Sequence, residues 1–259
     1  MRMAILVTAL AASGFIWGQT APRPSGYLGK AEMPDVSSIV PPAPAAGDNR
    51  FTADMAIFHS TRSLEGSPRW TLAQSDDNVS LAGLYQAFSC SLGTTITRDN
   101  APKTNALITR ANADAGSAAN LLKQLYQHKR PFQVDAGNVC VSPQGRAALE
   151  RNPDYPSGHT AASWEVGLVL SELAPDAATA ILARARAFGQ SRVVCGVHNA
   201  SAVEAGWMTA TSIFAAQNAL PAFRADLETA RPELAALRAN SPKPQGCALE
   251  QQALSKNPY

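Results

Sequence analysis

The sequence predicts an all-α protein, a compact helical bundle with an extended N-terminal arm. Three observations support this prediction. Apolar residues recur at helical spacing in six long segments, almost no stretch alternates regularly between apolar and polar residues, and the ends of several segments carry residues typical of helix boundaries. Since a half-buried strand needs a period of two, helices are favoured throughout.

The predicted helices follow one another from residue 51 onward. Their limits are marked, because Asp176 follows Pro175, Ser157 precedes a helical run and Pro221 closes another. Serine and aspartate cap helix N-termini, and proline interrupts helical hydrogen bonding. The six segments are about Phe51 to Leu64, Ser80 to Phe88, Asn105 to Tyr126, Ala161 to Leu173, Asp176 to Arg192 and Asn199 to Ala219.

The N-terminus has the layout of a secretory signal peptide, with Arg2 near the start, an apolar stretch from Ala4 to Trp17 and the small Gly18. No cysteine lies near that junction, which disfavours a lipid anchor, so we expect a protein exported to the periplasm or secreted. The predicted organisation is a signal peptide at 1–18, an extended Pro/Ala-rich arm at 19–50, a single helical domain at 51–240 and a C-terminal tail at 241–259.

Composition excludes several classes of partner. The net charge is +2 and the basic residues are dispersed, so no nucleic-acid footprint is present. Residues 205–223 carry no formal charge and are long enough to span a membrane. Polar residues such as Thr209, Gln217 and Asn218 indicate instead a buried central helix, and we predict no membrane span in the mature chain. The sequence is compatible with either a monomer or a homo-oligomer.

Four cysteines follow the predicted signal peptide: Cys90, Cys140, Cys195 and Cys247. An even number in an oxidising compartment favours two disulfides, and three pairings are possible from the sequence. None of the cysteines has the close spacing of a zinc site, so no metal or other cofactor is expected.

Three short stretches carry the chemistry. The first contains Lys123 and Arg130, seven residues apart and thus on nearly one helical face. The second, from Pro156 to His159, places Ser157 as a helix cap and Gly158 where the backbone amides of a helix start bind phosphate. The third joins Arg192 to His198. These stretches supply cations that could neutralise a phosphate ester and two imidazoles that could attack and protonate it. They therefore predict a phosphoryl-transfer site.

The pattern Lys-x6-Arg-Pro, Pro-Ser-Gly-His and Ser-Arg-x5-His resembles the signature of the type 2 phosphatidic acid phosphatase superfamily, which also contains the vanadium haloperoxidases. Residues 66–70, 155–160 and 189–196 are most similar to the class A bacterial non-specific acid phosphatases. The resemblance implies a helical fold and metal-free hydrolysis of phosphate monoesters that releases inorganic phosphate.

The resemblance also implies roles for individual residues. His198 would attack phosphorus to form a phosphohistidine, and His159 would protonate the leaving oxygen. The phosphate would be held by Lys123, Arg130, Ser157, Gly158 and Arg192. The family places cysteines at the positions of Cys140 and Cys195, which implies that these two pair and leaves Cys90 for Cys247.

One position departs from the family pattern, which continues His-x3-Asp where this chain has Ala202. That aspartate orients the nucleophilic imidazole. Ser201 faces His198 better on a helix than Glu204 does, but its hydroxyl is uncharged. The alternatives to an acid phosphatase are therefore a weakened or inactive phosphate-binding homologue, and a phosphotransferase or vanadium haloperoxidase. Restoring an aspartate at position 202 is expected to raise turnover.

Overall fold

The computed structural model describes residues 25–259, and the regular elements in that range are helices, which confirms the all-α prediction. The predicted signal peptide lies outside the described residues. The α-helices are α1 (Val36–Ile39), α2 (Asn49–Thr61), α3 (Pro68–Ser75), α4 (Leu81–Leu92), α5 (Pro102–Tyr126), α6 (Pro131–Val134), α7 (Pro143–Glu150), α8 (Gly158–Leu173), α9 (Ala178–Val194), α10 (Ala200–Ala219), α11 (Pro221–Asn240) and α12 (Cys247–Ala253). Short 3₁₀ turns cover Arg62–Leu64 and Pro175–Ala177.

Helices α8 and α9 lie at the centre of the bundle, with α5 and α10 packed against α8 and α3 and α4 against α9. The main core contains fully buried aromatic and branched side chains, among them Phe88, Leu107, Val169, Phe188 and Phe223. Burial of a large apolar side chain contributes about 1.5–3 kcal/mol to folding. The N-terminus of α8 and the C-terminus of α9 are thereby held rigidly.

The predicted helix before Pro221 ends at Ala219 as expected, but the helix that Pro221 opens was not predicted. In the structure Pro221 is the first residue of α11, and a second proline, Pro232, lies inside that helix. Proline is tolerated at the first helical position because the missing N–H would have no intrahelical partner there. The buried residues Phe223, Leu227 and Leu234 place one face of α11 in the core.

The uncharged segment 205–223 forms most of α10 and the start of α11. Val203, Ala210 and Ile213 of α10 are completely buried inside the bundle. Among the described residues, no helix has the length and apolar character needed to cross a membrane.

The described part of the N-terminal arm, residues 25–48, runs against the bundle. Its short helix α1 buries Val36, and Val40 is buried with it, against Leu122 and Tyr155. The carbonyl of Pro44 lies 3.0 Å from Nε2 of His128. The arm therefore reaches the loop that precedes α6.

Both disulfides match the pairing implied by the family resemblance. Cys140 is joined to Cys195 at the end of α9, and Cys90 of α4 is joined to Cys247 at the start of α12. The Cys140–Cys195 bridge fixes the turn that leads into His198. The second bridge fastens the C-terminal segment to α4.

A buried carboxyl group lies in the middle of α8. Glu165 is completely buried, and neither side-chain oxygen has a hydrogen-bond partner within residues 25–259. Burial, with a smaller contribution from the nearby Asp114, raises the pKa of Glu165 well above its usual value. A folded-state pKa above the unfolded one means that stability is lost as pH rises from about 4.3 through the folded-state pKa.

Replacing Glu165 with leucine is therefore expected to increase the free energy of unfolding at pH 8 by about 1–3 kcal/mol, and by less at pH 5. Urea unfolding at the two pH values measures the effect. Glu165→Gln is the matched control: it keeps the unpaired polar group and removes only the pH dependence. If both variants show the wild-type pH dependence, Glu165 is not the group that titrates.

Candidate active site

The two motif histidines face each other at the centre of the bundle. His159 lies in the first turn of α8 and His198 follows the C-terminus of α9, with ring centroids 6.4 Å apart. Ser157 is the N-cap of α8, and its Oγ accepts a hydrogen bond from the Thr160 amide at 3.2 Å. The positive end of α8 is thus directed at the space beside both imidazoles.

The turn before His198 is held by a partly buried guanidinium and a disulfide. Gly196 has φ of 76°, and a Cβ there would lie 2.5 Å from Nη1 of Arg62. Arg62 donates through Nη2 to the carbonyl of Val194 at 2.6 Å. The Cys140 amide donates to the Cys195 carbonyl at 3.0 Å. Glycine is required here both by its conformation and by the close approach of Arg62.

Three buried cations surround the imidazoles. Arg130 donates through Nη1 to Nε2 of His198 at 3.1 Å and to the Val197 carbonyl at 2.6 Å. Lys123 donates to the Pro153 carbonyl, and a Cβ on Gly158 would lie 3.8 Å from its Cε. The structure therefore brings these sequence-predicted residues together near the start of α8.

Arg192 is the most deeply buried of the three cations, with no exposed surface. Its Nη2 donates to Oδ1 of Asp77 at 2.6 Å, and its Nη1 lies 3.4 Å from the Asp76 carbonyl. The same Asp77 oxygen lies 3.6 Å from Nε2 of His159. Arg192 and His159 are thus linked through one carboxylate, and sequence reasoning did not identify Asp77.

The electrostatics leave His198 neutral. Burial and the adjacent Arg130 lower its pKa well below the usual value, although Asp154 opposes this. Burial and the charge of Arg192 lower the pKa of His159 to about 4. Burial and Arg130 lower the pKa of Lys123 to about 7, which is far from its value in water.

His198 has a carboxylate partner that the sequence motifs do not include. Oδ1 of Asp154, in the loop before α8, lies 2.7 Å from Nδ1 of His198, so the imidazole contacts a carboxylate although position 202 is alanine. Asp154 is completely buried. Burial opposes its ionisation, but hydrogen bonds from His128 and His198 outweigh burial and hold the pKa of Asp154 below its usual range.

Three further contacts fix the Asp154 carboxylate. Nδ1 of His128 lies 3.2 Å from Oδ2, the Asn199 side chain donates to Oδ2 at 2.8 Å, and the Asn199 amide donates to Oδ1 at 3.3 Å. The Asp154 amide itself donates to the His128 carbonyl at 2.8 Å. A carboxylate accepting this many bonds stays ionised and has a single orientation.

Ser201 and Glu204, which were compared as substitutes for the aspartate missing at position 202, have other surroundings. Ser201 donates through its amide and its hydroxyl to Asp54 of α2, which anchors the start of α10. Glu204 is exposed on α10. Ala202 itself is buried in a cluster with Tyr155 and Leu122. Neither Ser201 nor Glu204 makes a hydrogen bond to the His198 ring in the described part of the chain.

Ser191, which precedes Arg192 in the Ser-Arg motif, contributes to a buried hydrogen-bond network. Its hydroxyl donates to Oδ2 of Asp76 at 2.6 Å, and Arg69 donates to it at 2.9 Å. Arg184 pairs with the same Asp76 at 2.6 Å and with Glu250 of α12 at 3.0 Å. This network fixes the α3–α4 loop, and with it Asp77, on the surface of α9.

The helical fold and the three motifs in their order along the chain are those of the type 2 phosphatidic acid phosphatase class. The PAP2 superfamily model matches residues 106–224, which include all three sequence motifs.

Three acid phosphatases have sequences that align with most of the chain. The chain is 38% identical to an acid phosphatase of Zymomonas mobilis over 214 residues, which cover 82% of this chain and 81% of that protein. It is 35% identical to a non-specific acid phosphatase of Providencia stuartii, covering 82% and 86%, and 35% identical to one of Salmonella typhimurium, covering 75% and 78%. The chain belongs to the PAP2 superfamily and, within it, to the class A acid phosphatases.

Proposed function

We propose that this protein is an exported acid phosphatase that hydrolyses phosphate monoesters in two steps through a phosphohistidine on His198. The observation that carries the proposal is the placement of His198. Its Nδ1 is bound by Asp154, while Nε2 accepts from Arg130. The proton is therefore held on Nδ1, and Nε2 carries the lone pair, which attacks phosphorus when the Arg130 N–H turns from Nε2 to a phosphate oxygen.

In the first step Nε2 of His198 attacks phosphorus, the bond from phosphorus to the ester oxygen breaks, and His159 transfers a proton to the departing alcohol. In the second step His159 accepts a proton from water as the water oxygen attacks phosphorus. The N–P bond breaks and inorganic phosphate leaves. Negative charge near Arg192 favours the protonated form of His159, so a bound phosphate opposes the depression of its pKa.

The cations supply charge stabilisation. Lys123, Arg130 and Arg192 would hold the phosphate oxygens, and the Ser157 hydroxyl and Gly158 amide at the start of α8 would add hydrogen bonds. Because these donors are buried and fixed by carbonyl contacts, little reorganisation is needed when charge shifts in the transition state.

The inactive phosphate-binding alternative was based on the missing aspartate at position 202. Asp154 supplies a buried, ionised carboxylate to the same imidazole nitrogen. That alternative therefore loses its main support. Export is supported by the two disulfides, because such bonds form and persist in oxidising compartments.

The rate is expected to follow a bell-shaped pH profile with an acid optimum. His198 stays neutral into the acidic range because its pKa is depressed, and Lys123 loses its charge above its pKa of about 7. The alkaline limb follows loss of the His159 proton and the second ionisation of the substrate near pH 6, so Lys123→Arg should leave the limb below pH 7 in place and raise the rate only above it, where arginine stays charged. The measurement is kcat/KM for p-nitrophenyl phosphate from pH 3 to 9.

The same assay tests the two-step mechanism. EDTA should leave the rate unchanged, and base denaturation during turnover should trap phosphate on His198, since phosphohistidine survives base. His198→Ala is the control that should trap nothing. A flat profile from pH 4 to 9, or turnover without a trapped phosphoenzyme, contradicts these histidine roles.

A further inference from the structure

Arg192 has one charged partner within the described residues, and that partner is Asp77. The guanidinium is fully buried, whereas the Asp77 side chain keeps 43% of its surface exposed. The buried guanidinium is thus paired with a carboxylate that is itself partly open to solvent. Asp77 is held there by the short loop between α3 and α4, which the buried Asp76 anchors on Arg184 and Ser191.

Asp77 also contacts the second group that the proposed reaction needs. Its carbonyl lies 3.1 Å from Nε2 of His159, and its Oδ1 lies 3.6 Å from the same nitrogen. One residue thus contacts both the cation that would hold a phosphate oxygen and the imidazole that would protonate the leaving group. A carboxylate in this position makes the contacts that an anionic substrate would make.

We propose that Asp77 is an internal anion that competes with the substrate for Arg192 and His159, so that the site favours singly charged over doubly charged phosphate esters. The inference rests on the proposed function, since it assumes that Arg192 and His159 contact the ester. A phosphate monoester loses its second proton near pH 6. Above that pH, two negative charges of the ester meet the Asp77 carboxylate.

The charged groups around Asp77 determine how it responds to pH. They are His159 of α8, Arg192 of α9, Arg130 before α6 and the neighbouring Asp76. The adjacent His159 and the charge of Arg192 hold the pKa of Asp77 below its usual range, although burial opposes them. Asp77 therefore stays negative throughout the working pH range, and it is the substrate's charge that changes.

The alternative role for Asp77 is to position His159. A positioning carboxylate would act on proton transfer and so on kcat, whereas a competing anion acts on binding and so on KM and on the affinity for inorganic phosphate. The two roles are separated by Asp77→Asn, which keeps the size of the side chain and removes its charge.

The test compares wild type and Asp77→Asn at pH 5 and pH 7.5. Isothermal titration measures the Kd of inorganic phosphate, and p-nitrophenyl phosphate gives KM and kcat. Removing one unfavourable charge contact should lower Kd and KM at pH 7.5 by about tenfold, and by less at pH 5. Asp99→Asn, an exposed aspartate in the loop before α5, is the control and should change neither value.

An unchanged Kd for phosphate at pH 7.5, or a fall in kcat with KM unchanged, overturns the proposal. Asp77→Ala repeats the comparison if the asparagine variant fails to fold. Phosphate binding requires no turnover, so the Kd comparison still tests Asp77 if the wild-type protein does not hydrolyse p-nitrophenyl phosphate. The absence of hydrolysis would count against the proposed function and not against the role of Asp77.

Discussion

Asp154→Asn is expected to lower kcat by about 10³–10⁴, in line with the loss seen when the aspartate that orients a catalytic histidine in serine proteases is replaced. Asparagine keeps the shape of the side chain and removes the charge that stabilises the proton on Nδ1 of His198. An amide hydrogen directed at Nδ1 would favour the opposite tautomer, with the proton on the attacking nitrogen. The phosphate-holding cations would remain in place.

Two readouts distinguish orientation of His198 from a general loss of structure. The Kd of inorganic phosphate should change little in Asp154→Asn, and the pH dependence of kcat should shift because the imidazole loses its ion partner. Asp54→Asn is the matched control, because Asp54 is also buried and accepts hydrogen bonds from Ser201 at the start of α10 instead of from the imidazole. It should lose stability with a much smaller fall in kcat.

A near-normal kcat in Asp154→Asn would contradict the role assigned to Asp154. The Arg130 contact is the other polar side-chain contact that the described residues make with the His198 ring. Arginine carries only donors and binds Nε2, so it cannot hold a proton on Nδ1. The result would therefore require a different nucleophile or a different tautomer.

Features that depend on local sequence were predicted correctly, whereas features that depend on contacts between distant parts of the chain were missed. Helices α5, α8, α9 and α10 were predictable because their apolar periodicity and their caps are local features. The cations and histidines were predictable through motif spacing. Helix α11 was missed because Pro221 reads locally as a stop, and only the burial of Phe223 and Leu234 against the core shows that the chain continues as a helix.

The site residues that were missed depend on tertiary contacts. Asp154 is separated from His198 by 44 residues, and no spacing rule relates a loop aspartate to an imidazole at the end of another helix. A usable signal was present, since the chain lacks an acid at position 202 and has one directly before the Tyr155-Pro156-Ser157 run. Asp77 gives no such signal, because its contact with Arg192 depends on how the α3–α4 loop lies on α9.

The structure reverses the expectation for Ala202→Asp, which is now expected to lower both stability and turnover. The Ala202 side chain has no exposed surface and packs among apolar residues, and Nδ1 of His198 already has a carboxylate partner. A second carboxylate would be buried without a cation or a free donor. Uncompensated burial of a charge costs about 3–5 kcal/mol in the free energy of unfolding.

Urea unfolding and kcat for p-nitrophenyl phosphate measure the two effects, and Ala202→Asn separates the added volume from the added charge. The double variant Asp154→Asn/Ala202→Asp should recover at least about tenfold in kcat over Asp154→Asn alone, because position 202 is where the family pattern carries its aspartate, and a carboxylate there would take over the proton on Nδ1 of His198. The two positions would then be alternative sources of one carboxylate. If Ala202→Asp alone raises kcat without loss of stability, His198 is under-oriented in the natural chain, and Asp154 does not fill the role assigned to it.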